Sequence, residues 1–223
     1  MRPLPIETLQ SDAARILKSL RSNAASGVTS FTIFEQGNEE TRDHRNTLHL
    51  LVSQRQAVVP FDHILRSMLN LAVMDISRMT DNPGTDRLSM KRLVKLVDGR
   101  KADFEDCARH WHDGALGYPN PLAEGAAAKV AEEWDLFYSK FEALLASDEL
   151  KRVRKLRDSE LAHSLGKSIQ LPIISDLKHV LVQLAEIVSS ASFAIEGLEW
   201  DIADYVESRS EHARRFWDSF EKR

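Results

Sequence analysis

Apolar residues recur along almost the whole chain at helical spacing. Ile6, Leu9, Ala13, Ile16, Leu17 and Leu20 fall at i, i+3, i+4 and i+7 steps, which predicts a first helix from about Ile6 to Ser22. Gly27 to Gly37 breaks that rhythm. Val28, Phe31, Ile33 and Phe34 lie there among Ser, Thr and Gly, and predict a loop or a short strand. A long helix is expected from Glu39. Pro60 divides it into a piece ending near Val58 and a second from Phe61 to Met79, because proline lacks the N–H and restrains the residue before it.

Asp81-Asn82-Pro83-Gly84 predicts a turn. Short helices are expected over Ser89 to Val97 and Asp103 to Trp111. The stretch Gly114 to Gly125, with Gly117, Pro119 and Pro121, reads as an irregular loop. Beyond it, Ala126 to Ala146 predicts a helix with Val130, Trp134, Phe137, Phe141, Leu144 and Leu145 turned inward. Ser147-Asp148-Glu149 looks like an N-terminal cap with acids in the first turn, opening another helix. Gly166 and Pro172 punctuate the chain. Ser175 to Tyr205 predicts a long amphipathic helix and His212 to Phe220 a last one. The expectation is one all-α domain over residues 1–223.

Composition narrows the class. With 223 residues, 43% hydrophobic and 29% charged, the chain can bury a sizeable core and is not of disordered type. A net charge of −4 argues against a uniformly basic duplex-DNA binder but leaves room for a local basic patch. The single cysteine, Cys107, excludes an intrachain disulfide and a multi-thiolate zinc site. Met1 to Ser11 has no apolar core of signal-peptide length, and the apolar stretch Val180 to Leu198 is interrupted by Gln183, Glu186 and Glu196. A soluble, cytoplasmic protein without membrane contact and without a cofactor is expected.

The candidate chemistry lies on the helix opened by Ser147. Five of the seven residues from Lys151 to Arg157 are basic: Lys151, Arg152, Arg154, Lys155 and Arg157. Asp158 follows directly and His163 stands six positions after Arg157. Arginine presents a charged fork suited to phosphate, and histidine exchanges a proton near neutral pH. The two are a minimal kit for cutting RNA without a metal. On a helical projection Leu150, Val153, Leu156 and Leu161 form one apolar arc, with Arg157 near its middle and His163 at its edge. A charge in an apolar stripe needs a partner. One reading is an internal salt bridge to Glu160, three residues on. The other places the stripe at a cleft or a subunit interface. Arg157 and His163 stand roughly 120° apart on a straight helix. Convergence therefore requires a bend near Ala162 or a second copy across a two-fold axis.

Other clusters carry less. His110-Trp111-His112-Asp113, with Asp106 and Cys107, lacks zinc-ligand spacing and suits capping or surface roles. His44 and His49 lack a metalloprotease carboxylate pattern. Gly114 to Gly125 has no preceding strand and no Lys-Ser/Thr, so it is not a phosphate loop. No metal site is expected. Phe216, Trp217 and Phe220 suit a core or a dimer contact.

The motif Arg157-Asp158-x-x-x-Ala162-His163 resembles the signature of the HEPN superfamily, an Arg followed by a polar residue and then a His. The flanks, including Ser77-Arg78, Asp81 and Leu88-Ser89, resemble its AbiU-type abortive-infection branch. The resemblance covers most of Phe61 to Tyr205. It implies an antiparallel helical bundle, here with additional N- and C-terminal helices. It also implies a homodimer with the two motifs facing each other, and a metal-independent endoribonuclease cleft at the junction. A cognate antitoxin or defence partner is implied as well. In that reading His163 is the general acid or base, Arg157 holds the phosphate, and Asp158 orients Arg157 or His163. Lys151, Arg152, Arg154 and Lys155 position RNA backbone. Some members of the superfamily are not nucleases. The alternative is therefore a non-catalytic helical dimerising module that binds a partner protein or RNA.

Overall fold

The computed structural model describes residues 4–38, 58–82, 88–110, 122–158 and 171–220. Among them are eight helices and no strand, so the fold is all-α as expected. They are α1 (Ile6–Asn38), α2 (Val58–Thr80), α3 (Met90–Val97), α4 (Lys101–Arg109), α5 (Ala123–Ala146), α6 (Asp148–Leu156), α7 (Leu171–Glu196) and α8 (Ile202–Asp218). No helix is long and apolar enough to cross a membrane among the described residues.

The helices fall into two compact units, each assembled from three segments of chain. The first takes residues up to Asn23, Arg78–Ser147 and Gln183–Asp201. Its core is Leu9, Ile16, Leu17 and Leu20 of α1, Met90, Leu93 and Val97 of α3, Phe104 of α4, Val130, Phe137 and Leu144 of α5, and Leu184, Ile187 and Val188 of α7. Helices α4 and α5 pack together, with the Phe104 and Trp134 rings 5.4 Å apart. Arg21 ties α1 to α7 through Ser192 (3.0 Å) and Glu196. Arg100 at the start of α4 pairs with Asp103.

The second unit takes Ala24–Ser77, Asp148–Val182 and the chain from Ile202 onward. Val28, Phe31 and Phe34 of α1, Leu65, Leu69, Val73 and Ile76 of α2, Leu150, Val153 and Leu156 of α6, Leu177, Val180 and Leu181 of α7, and Trp217 of α8 are buried there. The Trp217 indole N–H donates to the Ile33 carbonyl (2.9 Å) and its ring meets Phe61 edge-on at 5.2 Å. Trp217 thus belongs to the core, whereas its neighbour Phe216 is exposed.

Two expected boundaries are corrected. Gly27 to Gly37 is neither a loop nor a strand: α1 runs through it without a break. The glycines serve close packing rather than a turn. A Cβ on Gly27 would lie 2.7 Å from Leu181 Cδ2, and one on Gly37 would lie 2.5 Å from Leu65 Cδ2 and 3.0 Å from the Trp217 ring. The hydroxyls that suggested irregular chain bond within the helix, Thr29 to the Ala25 carbonyl and Thr32 to the Thr29 carbonyl. The expected single helix from Ser175 to Tyr205 is two. Helix α7 stops at Glu196 and α8 begins at Ile202. Gly197 takes φ 67°, a left-handed conformation open to glycine, and its N–H caps the Phe193 carbonyl at 2.9 Å.

The last helix, expected from His212 to Phe220, starts ten residues earlier as α8 (Ile202–Asp218), and the remaining expected elements that fall in the described residues hold within about a turn. Pro60 sits in the first turn of α2, where its missing N–H has no intrahelical partner to lose. The expected helix before it and the turn residues Pro83 and Gly84 lie outside the described residues. Ser89 is the N-cap of α3. The loop expected from Gly114 lies outside the described residues up to 121, and α5 begins at Ala123, three residues before the expected start.

Candidate functional site: the basic helix and the Arg157–Asp158 turn

Helix α6 has nine residues, too few to be stable on propensity alone. Its apolar arc fixes it. Leu150, Val153 and Leu156 are buried in the second unit, as the projection predicts. Asp148 and Glu149 occupy the first turn, where acids favour the helix dipole, and Arg154 and Lys155 the last, where cations do. Burying one arc sends the basic residues to the flanks. Lys151, Arg152 and Lys155 are exposed and Arg154 is half-buried.

Arg157 follows α6 directly. At Arg157 and Asp158 the helix widens into a π turn. Such turns are rare and concentrate at functional positions. The departure from α geometry begins at Arg157, and the position near Ala162, where a bend was one of the two expected routes to convergence, lies outside the described residues. The Arg157 side chain is 25% exposed and Asp158 65%. Arg157 Nε donates to Asp158 Oδ1 at 2.8 Å. A carboxylate one residue on therefore compensates the charge set into the apolar stripe and fixes the direction of the guanidinium. Glu160, Leu161, Ala162 and His163 lie outside the described residues, as does the salt bridge expected with Glu160.

The basic flank has its own partners. Lys151 pairs with Asp148 at 2.8 Å and holds that carboxyl below its ordinary range. Arg152, although exposed, reaches across to α7. Its Nε donates to Asp176 Oδ2 at 2.6 Å and its Nη2 to Asp176 Oδ1 at 2.9 Å, a two-pronged grip. Glu149 stands 3.6 Å from the same guanidinium. Asp176 is 7% exposed, and its hydrogen bonds from Arg152 hold its carboxyl below the ordinary carboxylate range, with His179 adding in the same direction.

Asp176 is the residue that sequence reasoning missed. Its signal was the one that exposed Arg157: a charge among apolar residues, here beside Leu177 and Val180. Its partner lies 24 positions back, beyond any local pattern.

Other reactive types do different work. Burial raises the Cys107 thiol, and the Asp103 and Asp106 carboxylates raise it further, so it is a poor thiolate nucleophile at neutral pH. Burial, with help from Asp98, pushes the Tyr138 phenol up to about 12. His110 caps α4, its Nδ1 2.7 Å from the Asp106 carbonyl. Among the described residues no group of three or more His, Cys, Asp or Glu could hold a metal ion. A surface recess lined by Gln36 of α1 and by Asp204, Glu207, Ser208, Ser210, Glu211, Arg214 and Arg215 of α8 is ill suited to phosphate. Glu211 there engages both arginines, with Arg215 Nε at 2.8 Å.

A family model described as AbiU2, within the HEPN group, matches residues 10–216. The chain belongs to the AbiU2 family of HEPN proteins. The match spans both compact units and runs through α6, the Arg157–Asp158 turn and the sequence up to His163. No curated protein and no solved structure matches the chain. Membership in the AbiU2 family bears out the expected resemblance to the HEPN superfamily and its AbiU-type branch.

Proposed function

We propose that this chain is a metal-independent endoribonuclease of a phage-defence or toxin–antitoxin system, working at a cleft between two copies. The observation that carries the reading is AbiU2-family membership over residues 10–216. The Arg157–Asp158 pair on a π turn at the end of a basic helix supports it.

The chemistry balances without a metal. The 2′-hydroxyl of ribose attacks the adjacent phosphorus while a base removes its proton. The bond to the 5′-oxygen breaks, and that oxygen takes up a proton. The products are a 2′,3′-cyclic phosphate and a 5′-hydroxyl. His163 is the proton carrier and Arg157 stabilises the charge that builds on the phosphoryl oxygens. Asp158 keeps the Arg157 fork directed. Lys151, Arg154 and Lys155 attract RNA backbone, and Arg152 contributes charge from a side chain whose fork is held by Asp176. A two-fold axis supplies the second motif.

The non-catalytic reading, a helical dimerising module that binds a partner protein or RNA, has one observation in its favour. Lys151 and Arg152 are engaged by Asp148 and Asp176, which lowers the positive field that the helix offers to RNA. The test is RNA cleavage by the wild type against His163→Ala and Arg157→Ala. Cleavage that depends on both side chains supports the nuclease. RNA or protein binding without cleavage supports the module.

A further inference from the structure

We infer that Asp176 is a positioning residue for the motif, acting through Arg152 to hold the end of α6 and the Arg157–Asp158 turn in register against α7. This inference rests on the nuclease reading for its catalytic consequence, while its structural part stands apart from it.

Three observations carry it. Asp176 is nearly sealed, and both its oxygens accept hydrogen bonds from one guanidinium, so a single partner fixes the rotation of its carboxylate. The pair joins α6 to α7 across 24 positions of sequence, so the restraint on α6 comes from outside its own turn. Finally, α6 is short, and its buried apolar arc resists lifting better than sliding or rotation. A two-pronged contact on its flank supplies the missing directional restraint. Arg152 lies one turn before Leu156, next to the point where α6 gives way to the π turn.

This assigns Arg152 differently from its basic neighbours. A phosphate ligand offers its fork to the backbone of RNA and acts through binding, whereas the Arg152 fork is taken up by Asp176. A positioning arginine acts through the geometry of other residues. Misplacement of a catalytic group by about 1 Å costs on the order of 10²-fold in rate even when the substituted residue is remote.

The test uses the full chain and four variants: Asp176→Asn, Arg152→Lys, Arg152→Gln and the exchanged pair Arg152→Asp with Asp176→Arg. Amide hydrogen exchange across 153–158 is read first, with 130–144 of α5 as the internal reference. Asp176→Asn and Arg152→Gln are expected to speed exchange at 153–158 about tenfold and to leave α5 unchanged. The exchanged pair is expected to recover part of the protection. Unchanged protection at 153–158 would overturn the inference whether or not the protein cleaves RNA. The second reading is cleavage of a single-stranded RNA. Asp176→Asn should lower kcat by roughly tenfold to a hundredfold with KM nearly constant. Arg152→Lys, which keeps the charge and loses the fork, should show the same split. A rise in KM at constant kcat would make Arg152 a phosphate ligand and overturn the positioning role. A wild type that cleaves no RNA would refute the nuclease reading and leave the exchange result to decide the structural claim.

Discussion

Arg157 carries a permanent charge in a stripe of buried neighbours, and Asp158 meets it at 2.8 Å. That contact predicts how substitutions at the site separate. Arg157→Ala should weaken both RNA binding and cleavage. Arg157→Lys should not restore full activity, because an ammonium cannot reproduce the planar fork. Both are read as kcat and KM on one RNA substrate. Asp176 gives a prediction of a different kind. Its carboxyl is held below the ordinary carboxylate value, so its share of stability is complete above that value, about 3.9, and is lost as pH falls through the lower folded value. Asp176→Asn should therefore flatten the dependence of stability on pH below about 4, measured by denaturant unfolding across an acid series. Gly37 is a packing residue. Alanine there gains up to about 1 kcal/mol of helix propensity but forces the Leu65 and Trp217 side chains apart. Net destabilisation of about 1–2 kcal/mol is expected in thermal or denaturant melts.

At the scale of elements, α6 is the most dependent on its surroundings. Leu150 is fully buried, so Leu150→Ala should cost about 2–5 kcal/mol and loosen the motif helix first. Gly197 caps α7 at positive φ, so an alanine there is strained and should destabilise the α7–α8 connection. These two elements show why some of the fold was legible and some was not. The apolar arcs of α3, α4, α5 and α6 obey one period within one helix, and Val130, Trp134, Phe137, Phe141 and Leu144 fell where periodicity put them. Gly27, Gly37 and Gly197 look alike in the sequence. Two admit a neighbouring side chain against α1, Gly27 in its interior and Gly37 in its last turn, and one ends a helix at positive φ, and only the partners Leu181, Leu65 and Trp217 reveal which. The site divides the same way. Arg157, Asp158 and the basic run were visible as a local pattern, whereas Asp176 was not, because its partner is remote in sequence.

At the scale of the whole chain, each compact unit needs three separate segments. Cutting after Ser147 removes 183–201 from the first unit and two of the three segments of the second. A fragment of residues 1–147 is therefore expected to lack cooperative unfolding, as read by calorimetry. The nuclease proposal also needs two copies of Arg157 and His163. Light scattering of the full chain at micromolar concentration should give twice the 25.3 kDa chain mass, through an interface of more than about 1,000 Å². Cleavage of single-stranded RNA in EDTA, wild type against His163→Ala with product ends identified, decides whether this chain is a metal-independent nuclease. The wild type is expected to cleave without inhibition by EDTA and to leave ends carrying 2′,3′-cyclic phosphate. A loss of roughly 10²–10⁴-fold is expected in a folded His163→Ala variant. Cleavage abolished by EDTA, or undiminished in His163→Ala, would contradict the nuclease reading.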